Sequence, residues 1–235
     1  MKHTPGLFLL AAAAFAAVAP AGAQTGFPFQ DEGLHYSVNW PSGLSLGDAT
    51  LSAHHTANGW DFEVGLDAAI PGFAIRDKFK SSDTVALCST ELGRDISQGG
   101  KQVKEKTTFD QEKGTAHRAT EYPAGGGTSD FNIPPCARDA IAYVYFGRKE
   151  LGQGRVPPAQ QIYFGSAYTA RMEYTGPQTI TVGDKQELTD HLIVSVKGPK
   201  ADFTVEVFYA RDAARTPLLI KIPQSVGTLS MELVR

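Results

Sequence analysis

Apolar and polar residues alternate along most of the chain from residue 34 to the C-terminus. A period of two is typical of β-strands that bury one face. The clearest examples are Leu34 to Trp40, Trp60 to Leu66, Phe203 to Tyr209 and Leu229 to Leu233. Within them, Val64 and Phe203 are predicted to point inward. The pattern therefore predicts a chain that is mainly β and reaches its last strand close to the C-terminus.

Turn-forming pairs separate these runs. They are Asn58-Gly59, Gly99-Gly100, Gly176-Pro177, Gly183-Asp184 and Gly198-Pro199. An Asn-Gly pair between two alternating runs favours a two-residue hairpin, because such turns need positive φ at their central positions. The triplet Gly125 to Gly127 lies in a polar stretch and is predicted to be a loop. A succession of hairpins of this kind builds an antiparallel sheet.

One segment has the character of a helix. Pro134-Pro135 precedes residues 136–146 and Gly147 follows them, which matches the preference for Pro before a helix and Gly after it. An apolar stripe is predicted to pack on the sheet; it comprises Ala137, Ala140, Ile141 and Val144. A helix of this length spans only about 16 Å, too little to cover a large sheet. We therefore expect one strongly curved antiparallel sheet, half-barrel to barrel-like, with one short helix packed against it.

The N-terminus has the features of a secretory signal peptide. Lys2 is followed by an apolar run from Leu7 to Ala19 and by the small residues 21–23. The run is shorter than the roughly 20 residues of a membrane-spanning helix. Residues 1–23 are thus predicted to be a signal peptide cleaved between Ala23 and Gln24. Residues 24–235 are predicted to form a single β-rich domain, without a transmembrane segment, in the periplasm or outside the cell.

Charge and cysteine content limit the function classes. With 22 Lys and Arg against 25 Asp and Glu, the net charge is −3. Because nucleic-acid binders carry a basic face, this balance speaks against such a partner. The chain has two cysteines, Cys88 and Cys136. In an exported protein an even pair favours a disulfide over two free thiols.

One motif suggests a catalytic serine, but its surroundings do not support that chemistry. Gly43 to Gly47 matches the G-x-S-x-G pattern of serine hydrolases, with Ser45 as nucleophile and Asp184 and His191 as conceivable partners. That chemistry needs the serine on a strand-to-helix turn, whereas residues 48–54 are predicted to be a strand. We therefore expect Ser45 not to be a nucleophile.

Metal sites are also not indicated. His54 and His55 are neighbours, and neighbouring residues in a strand point to opposite faces. The other histidines considered, His35, His117 and His191, lack the spacing of zinc ligands. The acidic residues Asp77, Asp83, Glu91 and Asp95 form no calcium-loop pattern. No metal and no cofactor is predicted.

Aromatic residues are the remaining feature, and they leave two interpretations open. They are Trp40, Trp60, Phe62, Phe73, Phe79, Tyr163, Phe164, Tyr168, Tyr174, Phe203 and Tyr209. Such residues favour strands and carry large burial, so they are expected mainly to fill the core. They could also line a cavity for a lipid or another apolar ligand.

Several motifs occur in a characteristic order: Glu32 to Trp40, the Gly43 to Gly47 turn, Pro134-Pro135 before Asp139 to Tyr145, Ala210 to Asp212, and Arg215 to Leu218. In this order the chain resembles the bacterial exported proteins of the domain-of-unknown-function 3108 family. The resemblance spans roughly Glu32 to Val234. It implies a periplasmic or cell-envelope protein with a large curved antiparallel sheet, distantly similar to lipoprotein-carrier half-barrels, and it brings no catalytic residues.

Three functions are compatible with these observations. The first is a non-catalytic envelope protein that binds an apolar or amphipathic ligand, such as a lipid, or an envelope partner protein, on the concave face of its sheet. The second is a hydrolase with an unrecognised serine or carboxylate site. The third is a structural envelope component without a ligand.

We expect export to remove residues 1–23, because the apolar run ends in the small residues that signal peptidases accept. The intact mass of the exported protein should correspond to a chain that begins at Gln24. A mass that still includes Met1 to Ala23 would contradict the prediction.

Overall fold

The computed structural model describes residues 30–70, 72–123, 125–199, 201–224 and 227–235. The predicted signal peptide and the bond between Ala23 and Gln24 lie outside these residues. In the described part, fifteen strands and one α-helix are present. The helix that the structure describes is not long and apolar enough to cross a membrane.

The first half of the chain is almost entirely strands. They are β1 Glu32–Asn39, β2 Ser45–Thr56, β3 Gly59–Ile70, β4 Phe73–Thr84, β5 Ser89–Gln98, β6 Lys101–Asp110, β7 Thr115–Tyr122 and β8 Thr128–Asn132. After the short β9 Arg138–Asp139 comes the helix α1 Ala140–Gly152. The remaining strands are β10 Gln160–Tyr163, β11 Ala167–Val182, β12 Lys185–Gly198, β13 Ala201–Ala210, β14 Pro217–Gln224 and β15 Gly227–Leu233.

All fifteen strands form one sheet in the order β8-β7-β6-β5-β4-β3-β2-β1-β15-β14-β13-β12-β11-β10-β9. Sequential strands from β1 to β8 and from β10 to β15 pair as antiparallel hairpins, as predicted, and the two halves join where β1 pairs with β15. The exception is the pair β9 and β10, which is parallel. Parallel neighbours need a crossover connection, and α1 supplies it. The predicted antiparallel sheet is confirmed, with this short parallel pair added at one edge.

The turn predictions are confirmed with one exception. Gly99-Gly100, Gly183-Asp184 and Gly198-Pro199 all lie at hairpin connections. Asn58-Gly59 also marks a hairpin, but its two-residue connection is Ala57-Asn58, and Gly59 begins β3 opposite Thr56. Gly176-Pro177 instead lies inside β11, where the register with β12 shifts between Tyr174 and Gly176. Gly176 has φ 118°, so this glycine accommodates a β-bulge rather than a chain reversal.

The helix begins and ends later than predicted. It runs from Ala140 to Gly152, not over residues 136–146. Asp139 caps its first turn, accepting hydrogen bonds from the backbone N–H groups of Ile141 and Ala142. Gly147 does not end the helix, which continues to Gly152. A Cβ at position 147 would lie 2.5 Å from Met172 Cε, so only a glycine leaves room for the Met172 side chain. The glycine therefore serves close packing of α1 against β11.

The sheet curves around α1, which lies on its concave side. One hydrophobic cluster joins β2, β3, β5, β6 and β7 to Ile141 and Tyr145 of the helix. A second joins β10 to β13 to Tyr143 and Leu151. The buried helix residues are Ile141, Ala142, Tyr143, Tyr145, Gly147, Arg148 and Leu151. The helix is thus buried on more sides than the predicted stripe of Ala137, Ala140, Ile141 and Val144.

An internal ion pair ties the far end of the helix to the sheet. The Arg148 side chain is fully buried, and its two terminal nitrogens donate to both carboxylate oxygens of Glu32 on β1. Its Nε donates to the backbone oxygen of Ala214, 3.0 Å away, in the loop between β13 and β14. A bidentate arrangement of this kind fixes orientation as well as position.

The outer face of the sheet is also covered near β13. Residues Thr179 to Leu188 of β11 and β12 pair only with each other among the described residues. At the tip of this ribbon, Gly183 N donates to Glu232 on β15 over 2.7 Å. Phe208, on the outer face, is 1% exposed. By contrast Phe203, predicted to point inward, is 41% exposed, because it lies near the end of β13 away from the helix-packed cluster.

The sheet curves through twelve strands, from β5 through β1 and β15 to β9, so that β5 and β9 lie next to each other. Ser89 N at the start of β5 donates to the oxygen of Ala137, next to β9, over 2.9 Å. Cys88 and Cys136 form a disulfide with Cα atoms 4.6 Å apart. The predicted disulfide is confirmed, and it joins the segments before β5 and β9. We call this junction the seam; β6 to β8 continue beyond it, so the sheet stays open.

Two buried carboxyl groups lie in the seam. Asp139 Oδ2 accepts hydrogen bonds from the hydroxyls of Ser81 and Ser89, and Ser81 Oγ also lies 2.8 Å from Asp83 Oδ2. Ser81 has one proton to give, so a protonated Asp83 completes the chain by donating to it. Burial, reinforced by the nearby Asp139, raises the pKa of Asp83 to about 8. Burial also raises the pKa of Asp139.

This arrangement predicts a specific pH dependence of stability. Between about pH 4 and pH 8 the folded chain holds a proton on Asp83 that the unfolded chain has lost. The free energy of unfolding should therefore fall as pH rises, by up to about 1.4 kcal/mol per pH unit, and level off above pH 8. Asp83→Asn keeps a neutral donor and should flatten the slope. Urea unfolding of both proteins from pH 5 to 8 measures it, and parallel curves would contradict it.

Candidate functional site

A groove lies beyond the seam, where strands β6 to β8 face the turn between β10 and β11. Tyr163 on β10 packs against Phe109 on β6, with ring centroids 5.8 Å apart, and against Phe131 on β8, 5.4 Å apart. Arg118 on β7 donates from Nη1 to the backbone oxygen of Gly165 in the turn. Through these contacts β6 to β8 pack as one layer against β10 and the β10–β11 turn of the same sheet.

The groove encloses about 390 Å³ and combines apolar with polar walls. Phe131 and Tyr163 contribute aromatic rings. The polar side chains are those of Thr107, Arg118, Ser129, Asp130, Asn132, Gln161 and Ser166. Alternation along the strands explains the polar wall, because Thr107 and Ser129 pair directly with Arg118 and share its face. A groove with both kinds of lining suits an amphipathic molecule.

Behind the groove, two guanidinium groups share one carboxylate. Arg94 Nη1 donates to Glu105 Oε1 over 2.8 Å. Arg118 Nε lies 3.9 Å from Glu105 Oε2. The side chains of Arg94 and Glu105 are 15% and 9% exposed, whereas that of Arg118 is 29% exposed. This cluster carries one net positive charge at a partly buried position.

The turn between β10 and β11 depends on a glycine. Gly165 has φ +71°, and a Cβ there would lie 1.7 Å from Arg94 Nη1. Arg94 has little room to move, since it holds Glu105 and its guanidinium lies 4.5 Å from the centroid of the Phe164 ring. Any side chain at Gly165 therefore disturbs the charged cluster.

The hydrolase motif is not assembled in the structure. Ser45 is exposed at the start of β2, which is a strand and not a strand-to-helix turn. His191 Nδ1 lies 2.6 Å from Thr175 Oγ1, and its Nε2 lies 3.2 Å from Glu206. No hydrogen bond among the described residues joins Ser45 to Asp184 or His191. The catalytic interpretation therefore has no geometric support.

The histidines and acidic residues considered for metal binding are also dispersed. His54 pairs with Asp31, while His55 packs edge-on against Trp60. Asp77 accepts hydrogen bonds from Ser97 and Gln98. Across the described ranges no group of three His, Cys, Asp or Glu residues could hold a metal ion.

The aromatic residues divide between the core and the surface, and core filling is confirmed for several of them. Trp60, Phe62 and Tyr209 are buried in the core clusters, whereas Phe73, Tyr174 and Phe203 are exposed. Tyr163 lines the groove while packing in the core. Sequence reasoning missed Arg94, Arg118 and Gly165. Its only usable signal was the alternation that places Arg118 on the same face as Ala116 in β7.

The fold is that of a barrel-like β-protein. A crystal structure described as a beta-barrel-like protein of domain of unknown function DUF1849, from Brucella abortus, matches with a TM-score of 0.58 and 7% sequence identity. The match covers 87% of this chain and 96% of that one. The family model described as Protein of unknown function (DUF3108) matches residues 35–234, so the chain belongs to that family. Among curated proteins no match is found.

A pair of glycine variants separates backbone strain from damage to the cluster. Gly154 has φ +74°, but a Cβ there would have no atom within 4 Å, so Gly154→Ala should cost only the strain, about 1–2 kcal/mol. Gly165→Ala should lose about 1.5–3 kcal/mol more, because Arg94 must leave a charge-assisted hydrogen bond. Chemical unfolding measures both, and equal losses would show that the cluster does not constrain the turn.

Proposed function

We propose that the protein is an exported, non-catalytic envelope protein that binds an amphipathic ligand in the groove between β6–β8 and the β10–β11 turn. The observation that carries this proposal is the groove itself, with Phe131 and Tyr163 on one side and Arg118 with hydroxyl groups on the other. Apolar rings together with a few convergent polar groups are the usual composition of a small-molecule site.

The groove replaces the concave face as the candidate binding surface. On the concave side, α1 packs into the two larger hydrophobic clusters, which covers the apolar face of the sheet around them. The groove lies where the two layers meet without a helix between them. The ligand would therefore bind at the overlap of the sheet and not inside its curve.

Two observations support an exported location. The N-terminal segment has the composition of a signal peptide. The Cys88–Cys136 disulfide fits an oxidising compartment such as the periplasm.

A bulky side chain in the groove tests the proposal. The wild-type chain should bind the neutral fluorescent probe N-phenyl-1-naphthylamine saturably. Ser129→Trp, which places an indole on the groove face of β8, should weaken binding at least about tenfold. Thr128→Trp changes the neighbouring exposed residue on the opposite face of the same strand and should leave binding unchanged.

Both variants should unfold within a few degrees of the wild type, which shows that a lost signal reflects the groove. Equal effects of the two substitutions would place the probe elsewhere. Absence of saturable binding by the wild type would refute the binding function and favour a structural envelope component without a ligand.

A further inference from the structure

We propose that Arg118 recognises an oxyanion, such as a phosphate group, on the ligand that occupies the groove. This inference rests on the proposed function and adds the chemical class of the ligand's polar end. It starts from the unequal charge balance behind the groove, where Arg94 and Arg118 face a single acceptor, Glu105.

The two arginines are held differently. Arg94 is committed to the protein, since it donates to Glu105 and stacks on Phe164. Arg118 lines the groove and is only weakly neutralised, because its Nε lies 3.9 Å from Glu105. Its Nη1 donates to Gly165, and no acceptor for Nη2 is found among the described residues. A partly buried guanidinium with donors to spare is suited to an oxyanion.

The other polar groups of the groove agree with this class of ligand. The hydroxyls of Thr107, Ser129 and Ser166 can donate to oxyanion oxygens. The acidic side chain at the rim, Asp130, is 79% exposed and its Oδ1 lies 2.7 Å from His117 Nδ1. It therefore adds its charge at the solvent side, paired with a histidine, and does not cancel Arg118.

Isothermal titration with two amphiphiles that share one tail tests the inference. Octyl phosphate should bind at least about tenfold more tightly than octyl glucoside, and the difference should shrink at 0.5 M salt. Inorganic phosphate alone distinguishes a free anion from a headgroup on an apolar tail. Binding of inorganic phosphate as tight as that of octyl phosphate would identify the free anion as the ligand and remove the need for the apolar wall.

Substitutions then assign the effect to the residue. Arg118→Gln keeps a donor for the Gly165 oxygen and removes the charge; it should weaken octyl phosphate binding about tenfold and octyl glucoside binding less than twofold. Arg118→Lys should retain part of the preference. Arg171→Gln is the control of equal charge change, because Arg171 is an exposed side chain on β11 outside the groove. It should change neither affinity.

The outcomes separate the two proposals. If both amphiphiles bind the wild type equally, the oxyanion inference fails while the binding function stands. If neither binds, the binding function fails as well. If Arg118→Gln weakens both ligands to the same extent, Arg118 only positions the Gly165 turn and the oxyanion inference is wrong.

Discussion

A sheet of fifteen strands with one apolar face needs something to cover that face, and here a single helix packs against two of its three hydrophobic clusters. The helix can fill the space because both its ends are fixed. Asp139 caps the first turn and accepts hydrogen bonds from Ser81 on β4 and Ser89 on β5. Near the other end, the buried Arg148 forms an ion pair with Glu32 on β1. Removing one partner of such a buried pair costs about 3–5 kcal/mol. Asp139 lies in the seam, so the contacts that fix the start of the helix also join the two sides of that junction.

Most features of the fold could be predicted from local patterns in the sequence. Alternation predicted the strands, Gly-containing pairs predicted the hairpins, and the even cysteine pair predicted the disulfide, because each depends on neighbouring residues or on compartment alone. The errors arose where tertiary packing overrides such signals. Gly147 lies within the helix and leaves room for Met172, Gly176 accommodates a bulge, and β9 pairs in parallel with β10 because a helix connects them.

The groove could not be predicted in the same way. Its walls come from β6–β8 and from the β10–β11 turn, which are brought together only after the sheet has curved through twelve strands. Nothing near Arg118 in the sequence indicates that Glu105 must balance two guanidinium groups. Alternation could place Arg118 on an inward face, but its partners depend on how far the sheet curls. A groove formed by strands far apart in the sequence is therefore harder to predict than a site formed by a single motif.

The pairing of β1 with β15 also has a consequence for how the chain folds. Tyr36 lies opposite Leu233, so the two halves of the sheet meet through the first and the last described strands. Contacts this distant in sequence slow folding, since a long loop must close before they form. Until β15 arrives, β1 presents an unpaired edge, which is a template for pairing with other chains. The folding chain thus passes through a stage in which this edge is open to pairing with other chains.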